Sequence, residues 1–198
     1  DFDEDLTQVN LDYRAYGRMT RRSLFALRLA TLQNVGDREF LRGFGGINYL
    51  RGYDYYEFAG SNLAWANFEF RFPLVDLLAF PVLAIQDVRG MLFLDLGAAY
   101  LDDDLWIDPN TGFIRVDELG QPIKFDFWDS TNDRLQDLRG SYGAGFQFLF
   151  LGGLQFNWVW AKRLDYTEYV FDPMTSTVVA REAPNSGTTT QFYIAFDF

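Results

Sequence analysis

The chain contains no histidine and no cysteine, and its charged groups are mainly carboxylates and guanidinium groups. Ser-His and Cys-His nucleophile pairs are thereby excluded within this chain, as are disulfides and thiolate metal sites. Paired carboxylates can act as acid and base, but none stands in a recognisable active-site motif, so no catalytic residue is assigned and no enzyme is expected. Arg51 has the most unusual setting. It lies in Gly45-Gly46-Ile47-Asn48-Tyr49-Leu50-Arg51-Gly52-Tyr53, between two runs that alternate apolar and polar residues. Gly43, Gly45, Gly46 and Gly52 let this backbone reach positive φ and approach other atoms closely. A guanidinium held in such a loop calls for a carboxylate, which it matches through two parallel hydrogen bonds. Two candidates follow, both in mid-strand: Glu69 in Phe68-Glu69-Phe70-Arg71-Phe72, and Asp95 in Phe93-Leu94-Asp95-Leu96-Gly97. Charge pattern alone leaves two arrangements open. Arg51 either meets both acids in an interior, or sits in a solvated outer loop while the acids line a watery pore.

The elements that must position these residues read as strands. Alternation of period two marks seven of them, at about residues 6–17, 23–32, 60–72, 89–101, 138–150, 154–163 and 188–198. Phe25, Leu27 and Leu29 share one face of the second, with Arg28 on the other. In the third, Phe68, Phe70 and Phe72 oppose Asn67, Glu69 and Arg71; in the sixth, Phe156, Trp158 and Trp160 oppose Gln155, Asn157 and Ala161. Pro73 is expected to end the third strand by removing a ladder donor, and residues 74–88 read as an apolar interfacial or partner-facing stretch. Short turns are expected after the first and fifth strands, and long loops over 34–59, 102–137 and 164–187. The last strand sets Phe192, Ile194, Phe196 and Phe198 on one face against Tyr193, Ala195 and Asp197.

Aromatics form 19% of the chain, no apolar stretch is long enough for a spanning helix, and the formal charge is −11. Strands apolar on alternate residues fit an antiparallel transmembrane barrel, and the acidic balance argues against nucleic-acid partners. Tyr100, Trp106, Trp160 and Tyr166 near strand ends suit an interfacial belt. Asp102, Asp103, Asp104 and Asp108 lack the spacing and the glutamate of a calcium loop, and the glycine-rich stretch lacks the lysine and following helix of a phosphate cradle. No metal and no cofactor is assigned.

Leu50-Arg51-Gly52-Tyr53, Glu69, and Phe93-x-Asp95-x-Gly97, in that order, resemble the BamA/TamA superfamily of outer-membrane β-barrels, also called the surface-antigen family. The resemblance covers most of the chain. It implies that the loop with Gly45, Gly46, Leu50, Arg51, Gly52 and Tyr53 folds back into a barrel lumen, where Arg51 meets Glu69 and Asp95 on the wall. Phe93 and Gly97 are then the strand motif, and Phe192, Ile194, Phe196 and Phe198 resemble the C-terminal assembly signal of outer-membrane proteins. Implied with them are a bacterial outer-membrane location, contact with outer-membrane lipid, and insertion, assembly or translocation of proteins. Client outer-membrane proteins or envelope subunits would be the partners. A barrel of the family's usual sixteen or so strands needs about twice this length. Residues 1–198 are therefore expected to be the C-terminal part of a barrel, preceded by further strands and periplasmic domains. Alternatives of another class are a passive or structural channel barrel, or a membrane anchor for an N-terminal domain.

Overall fold

The computed structural model describes residues 7–36, 40–79, 84–101, 116, 121–122, 124–130, 133–150, 154–172, 174, 177–182 and 187–196. The chain is all-β, with no helix among these residues. Seven strands form one antiparallel sheet: β1 (Gln8–Arg18), β2 (Leu24–Asn34), β5 (Asn62–Ala79), β6 (Ala84–Tyr100), β9 (Arg139–Phe150), β10 (Leu154–Arg163) and β13 (Thr189–Phe196). Each pairs with its predecessor in the order β1-β2-β5-β6-β9-β10-β13, so the sheet is an open meander with β1 and β13 at its edges. Three small hairpins sit in the connections: β3 (Arg42–Phe44) with β4 (Phe58–Gly60), β7 (Trp128–Asp129) with β8 (Arg134–Leu135), and β11 (Thr167–Asp172) with β12 (Thr177–Glu182).

The seven expected strands are all present, with one correction. Residues 74–88 are not set apart from the sheet: β5 continues to Ala79 and β6 starts at Ala84, with Val75 opposite Val88 and Leu78 opposite Ile85. Nor does Pro73 end its strand. It stands opposite Arg89 at a register shift between Pro73 and Val75, where a bulge accommodates the residue that cannot donate to the ladder. All three short connections (19–23, 80–83 and 151–153) therefore lie at one end of the sheet, and all three long ones at the other.

The two faces differ in kind. Phe25, Phe68, Leu92, Tyr142, Trp158 and Phe192, one from each of six strands, share the bare face and are 38–51% exposed. Loop 40–61 covers the other face, where Phe44, Leu50 and Tyr53 are fully buried with Leu63, Trp65 and Ala30. Burying side chains of this size is worth about 1.5–3 kcal/mol each. A second cluster, Met91, Phe93, Val159 and Ala161, has Tyr193 of β13 packed against it. β6 and β13 are separated by two strands, about 14 Å in a flat sheet. The sheet curls toward the loop, so that Tyr193 of β13 lines one cavity with Arg14 of β1 and Glu69 and Arg71 of β5.

Close packing gives a test at two glycines. A Cβ on Gly143 would meet the Trp160 carbonyl and lie 2.7 Å from the Phe93 ring, whereas one on Gly17 meets nothing within 4 Å. Gly143→Ala is expected to lower stability by about 1–3 kcal/mol and Gly17→Ala by less than about 0.5 kcal/mol, read from denaturant unfolding midpoints.

Candidate functional site: a buried arginine lock

Inter-strand register places one transverse row across the covered face. Arg14, Arg28, Asn67, Asp95, Ser141 and Arg163 stand opposite one another in turn, from β1 to β10. Two residues along lies a second row containing Glu69 and Phe93. Arg51 drops between these rows. Its Nε and Nη2 donate to the two Asp95 carboxylate oxygens, each at 2.7 Å, and its Nη1 donates to Glu69 at 2.6 Å. Its own backbone N–H also donates to Asp95, at 3.1 Å. The guanidinium carbon lies 3.9 Å from the centroid of the Phe93 ring, which closes the remaining face of the cation.

Burial decides what this pair is worth. Arg51 is 4% exposed and Asp95 is fully buried, so neither charge can be satisfied by water. Burial by itself lowers the tendency of Arg51 to hold its proton, but the Asp95 hydrogen bonds and charge, with Glu69, outweigh it and raise the pKa above the ordinary arginine value. The cation is permanent. Asn67 Nδ2 donates to Asp95 at 2.9 Å and to the Tyr49 carbonyl at 2.8 Å, and Arg71 Nε donates to Glu69 at 2.8 Å. Both acids are thus held from two sides.

The loop backbone is shaped for this insertion. Gly46 accepts from the Leu50 N–H at 2.8 Å and from Tyr49 at 3.1 Å, closing a single turn that presents Arg51. Gly46 and Gly52 have φ of +82° and +87°. A Cβ on Gly52 would lie 2.9 Å from Ala161 Cβ, so a side chain there is excluded by both conformation and space. Beyond Gly52 the loop is stitched to the far strands. Arg163 donates to the Gly52 carbonyl and forms a bidentate pair with Glu57 at 2.7 and 2.8 Å, with the Tyr53 ring 4.3 Å away. The Gly52 N–H donates to Gln191 Oε1, and the Tyr53 hydroxyl to the Gly140 carbonyl, each at 2.9 Å. Arg28 Nη1 reaches the Asn48 carbonyl at 3.3 Å. One loop is bonded to β2, β5, β6, β9, β10 and β13.

Arg14 and Arg28, directly opposite each other, are kept compatible by Asp12, which accepts from both. With Arg51, Arg71 and Tyr193 they line a polar cavity of about 250 Å³ beside the lock. Of the residues singled out from the sequence, the structure brings together Gly46, Leu50, Arg51, Gly52, Tyr53, Glu69, Asp95 and Phe93. Gly97 packs against Phe44, where a Cβ would lie 2.6 Å from the ring, and Gly45 takes φ +122° at the start of the turn. Phe192 and Ile194 are exposed on the bare face, Phe196 ends β13, and Phe198, like Trp106 and Asp102 to Asp108, lies outside the described residues. The Tyr166 ring lies 3.8 Å from the Arg139 guanidinium of β9. Sequence reading did not single out Asn67, Gln191, Arg163 or Glu57. Asn67 had a signal, two residues before Glu69 on the same face; the others depend on long-range register. Among the described residues no cluster of acids could hold a metal ion, and no helix is long and apolar enough to cross a membrane.

Fold and site together define a curled antiparallel sheet with one apolar, solvent-open face and a loop anchored on the other by a buried ion triad. Comparison with protein-family models, curated proteins and solved structures finds no match for this chain.

Two measurements test the lock. A double-mutant cycle of Arg51→Met with Asp95→Asn should give a coupling of about 3 kcal/mol. The same cycle on the exposed pair Arg22 and Asp76, whose side chains are 64% and 67% accessible, should give about 1 kcal/mol or less. Burial also pushes the Tyr53 phenol up from its usual range. In the unfolded chain that phenol ionises near about pH 10, so the stability from burying it neutral is whole below that pH and is lost as pH rises toward the folded value. Tyr53→Phe should therefore make the alkaline fall in stability shallower by up to about 1.4 kcal/mol per pH unit, measured by denaturant titration at stepped pH.

Proposed function

We propose that the chain is part of a transmembrane β-barrel of the BamA/TamA type, acting in the insertion, assembly or translocation of proteins at the bacterial outer membrane. The observation that carries this reading is the sidedness of the sheet. A face of exposed Phe, Leu, Tyr and Trp from six strands is backed by a face holding the arginine rows and the lock. A Lys or Arg on a lipid-facing strand position costs about 2–4 kcal/mol at the midplane and less near the ends, which fits a bare face whose charged residue, Lys162 opposite Tyr142, stands near the end of β10. The gathering of short connections at one end and long ones at the other supports the same reading. The ordered motif from Leu50-Arg51-Gly52-Tyr53 through Glu69 to Phe93-x-Asp95-x-Gly97 adds to it.

In this reading the work needs no covalent chemistry. The bare face sits in outer-membrane lipid, the loop braces the wall from within the lumen, and further strands of the same protein complete the barrel against the open edges of β1 and β13. An edge strand with open backbone groups templates the incoming strand of a client protein. The lock keeps the rest of the wall rigid while that edge changes partners.

Single-tryptophan variants in vesicles carrying brominated acyl chains test the orientation. Trp158 and Trp160 are 39% and 41% exposed on the bare face and should be quenched, whereas Trp65, at 8% on the covered face, should not. Equal quenching of all three, or none, sinks the membrane reading. In inserted protein, Arg51→Ala should also lower the rate of client-barrel assembly; an unchanged rate removes the insertase role.

A further inference from the structure

β5 outruns its neighbour β2. β2 begins at Leu24, opposite Arg71, while β5 continues to Ala79. Residues 72–79 thus pair with β6 on one side and, among the described residues, with no strand on the other. A strand edge of this kind offers N–H and C=O groups that template another extended chain. Alongside it, between the 19–23 turn and the β5–β6 hairpin, lies a cleft of about 480 Å³. Arg18, Arg21, Arg22 and Arg89 line it, Asp76 is the one carboxylate among its lining residues, and Pro73 and Asp76 put the edge itself into the wall. This concentrates cations in a chain whose formal charge is −11. How the cleft treats a carboxylate is already visible: Arg22 Nη1 donates to both oxygens of Asp76, at 2.7 and 2.6 Å. Arg18 and Arg21 are exposed and have no carboxylate partner among the described residues.

We propose that this cleft docks an extended acidic polypeptide segment, which adds as a strand to residues 75–79 of β5 and sets its carboxylates against Arg18 and Arg21. Pro73 has no N–H and the register shift ends at Val75, so pairing starts there. Alternate side chains of an added strand face the same way, about 6.6–7 Å apart, so a segment acidic at every second residue presents all its charges to the arginine side. A free phosphate would satisfy the guanidinium groups but leave the edge amides unpaired. The site belongs to the sheet itself and holds whether or not the bare face lies in lipid.

The test uses the full chain in detergent with a fluorescent peptide of alternating glutamate and threonine, about ten residues long, beside its lysine counterpart and tripolyphosphate. The acidic peptide should bind and the lysine peptide should not. The Arg18→Gln, Arg21→Gln double variant should bind about tenfold more weakly, about threefold for each exposed charge. Bound peptide should slow hydrogen exchange of amides 75–79 and leave those of β9 unchanged. Because both arginines are exposed, the double variant should keep the parent's unfolding midpoint, so weaker binding reports the site and not the fold. Equal binding of both peptides, binding unaffected by the double variant, or no binding by folded protein overturns the proposal. So does peptide binding that tripolyphosphate abolishes while exchange at 75–79 never changes, since that describes an anion site without strand addition.

Discussion

The pairing of Arg51 with Asp95 is the constraint on which the rest of the structure depends. Neither charge reaches water, so each is tolerable only in the presence of the other. Arg51 therefore has to be delivered to the sheet surface by a turn tight enough to place both its side chain and its backbone N–H on one carboxylate. Gly46 and Gly52 supply the positive φ values that this delivery needs, and Ala161 is small enough to let Gly52 pass. Glu69 and the Phe93 ring then close the shell around the cation.

From that point the loop acts as a brace. A strand pair alone is held by its ladder, but strands as distant as β2 and β13 are also tied to one segment of about ten residues, through Asn48, Arg51, Gly52 and Tyr53. The curl of the sheet follows from the same economy of space. Ser141, Gly143 and Gly145 leave the middle of the covered face thin beside the cluster of Met91, Phe93, Val159 and Ala161 on which Tyr193 packs. Larger residues on β9 would hold the sheet flatter and move the far strands out of reach of the loop.

Among the described residues the bare face has no such network, and its apolar side chains remain open to the surroundings. Stacked and tilted aromatic pairs run across it, among them Phe25 with Phe68 and Phe148 with Phe156, with ring centroids 5.6 and 5.2 Å apart. These contacts stiffen the surface without covering it. A water-soluble sheet would place a second layer there; among the described residues the only layer lies on the charged side. That inversion, polar groups inside a brace and hydrocarbon outside, is the physical basis of the membrane proposal.

Much of this was legible in the sequence because strand periodicity is local. Alternation assigned seven strands and both faces, and glycine spacing around Arg51 marked a loop with special backbone geometry. Residues 74–88 misled, because Pro73 ordinarily ends a strand and the mostly apolar run after it shows no clear period; only the bulge and the partner register reveal that the ladder resumes at Val75. Chain order alone could not say that Asn67 faces Asp95, that Gln191 caps Gly52, or that Arg163 holds Glu57. Those contacts join residues far apart in the chain, and register, set by the packing of whole strands, decides them. The sequence by itself thus determined which residues face which way and that one arginine needs an acid. Only the tertiary structure decided where that arginine lands, because burial of a charge is a property of everything folded around it.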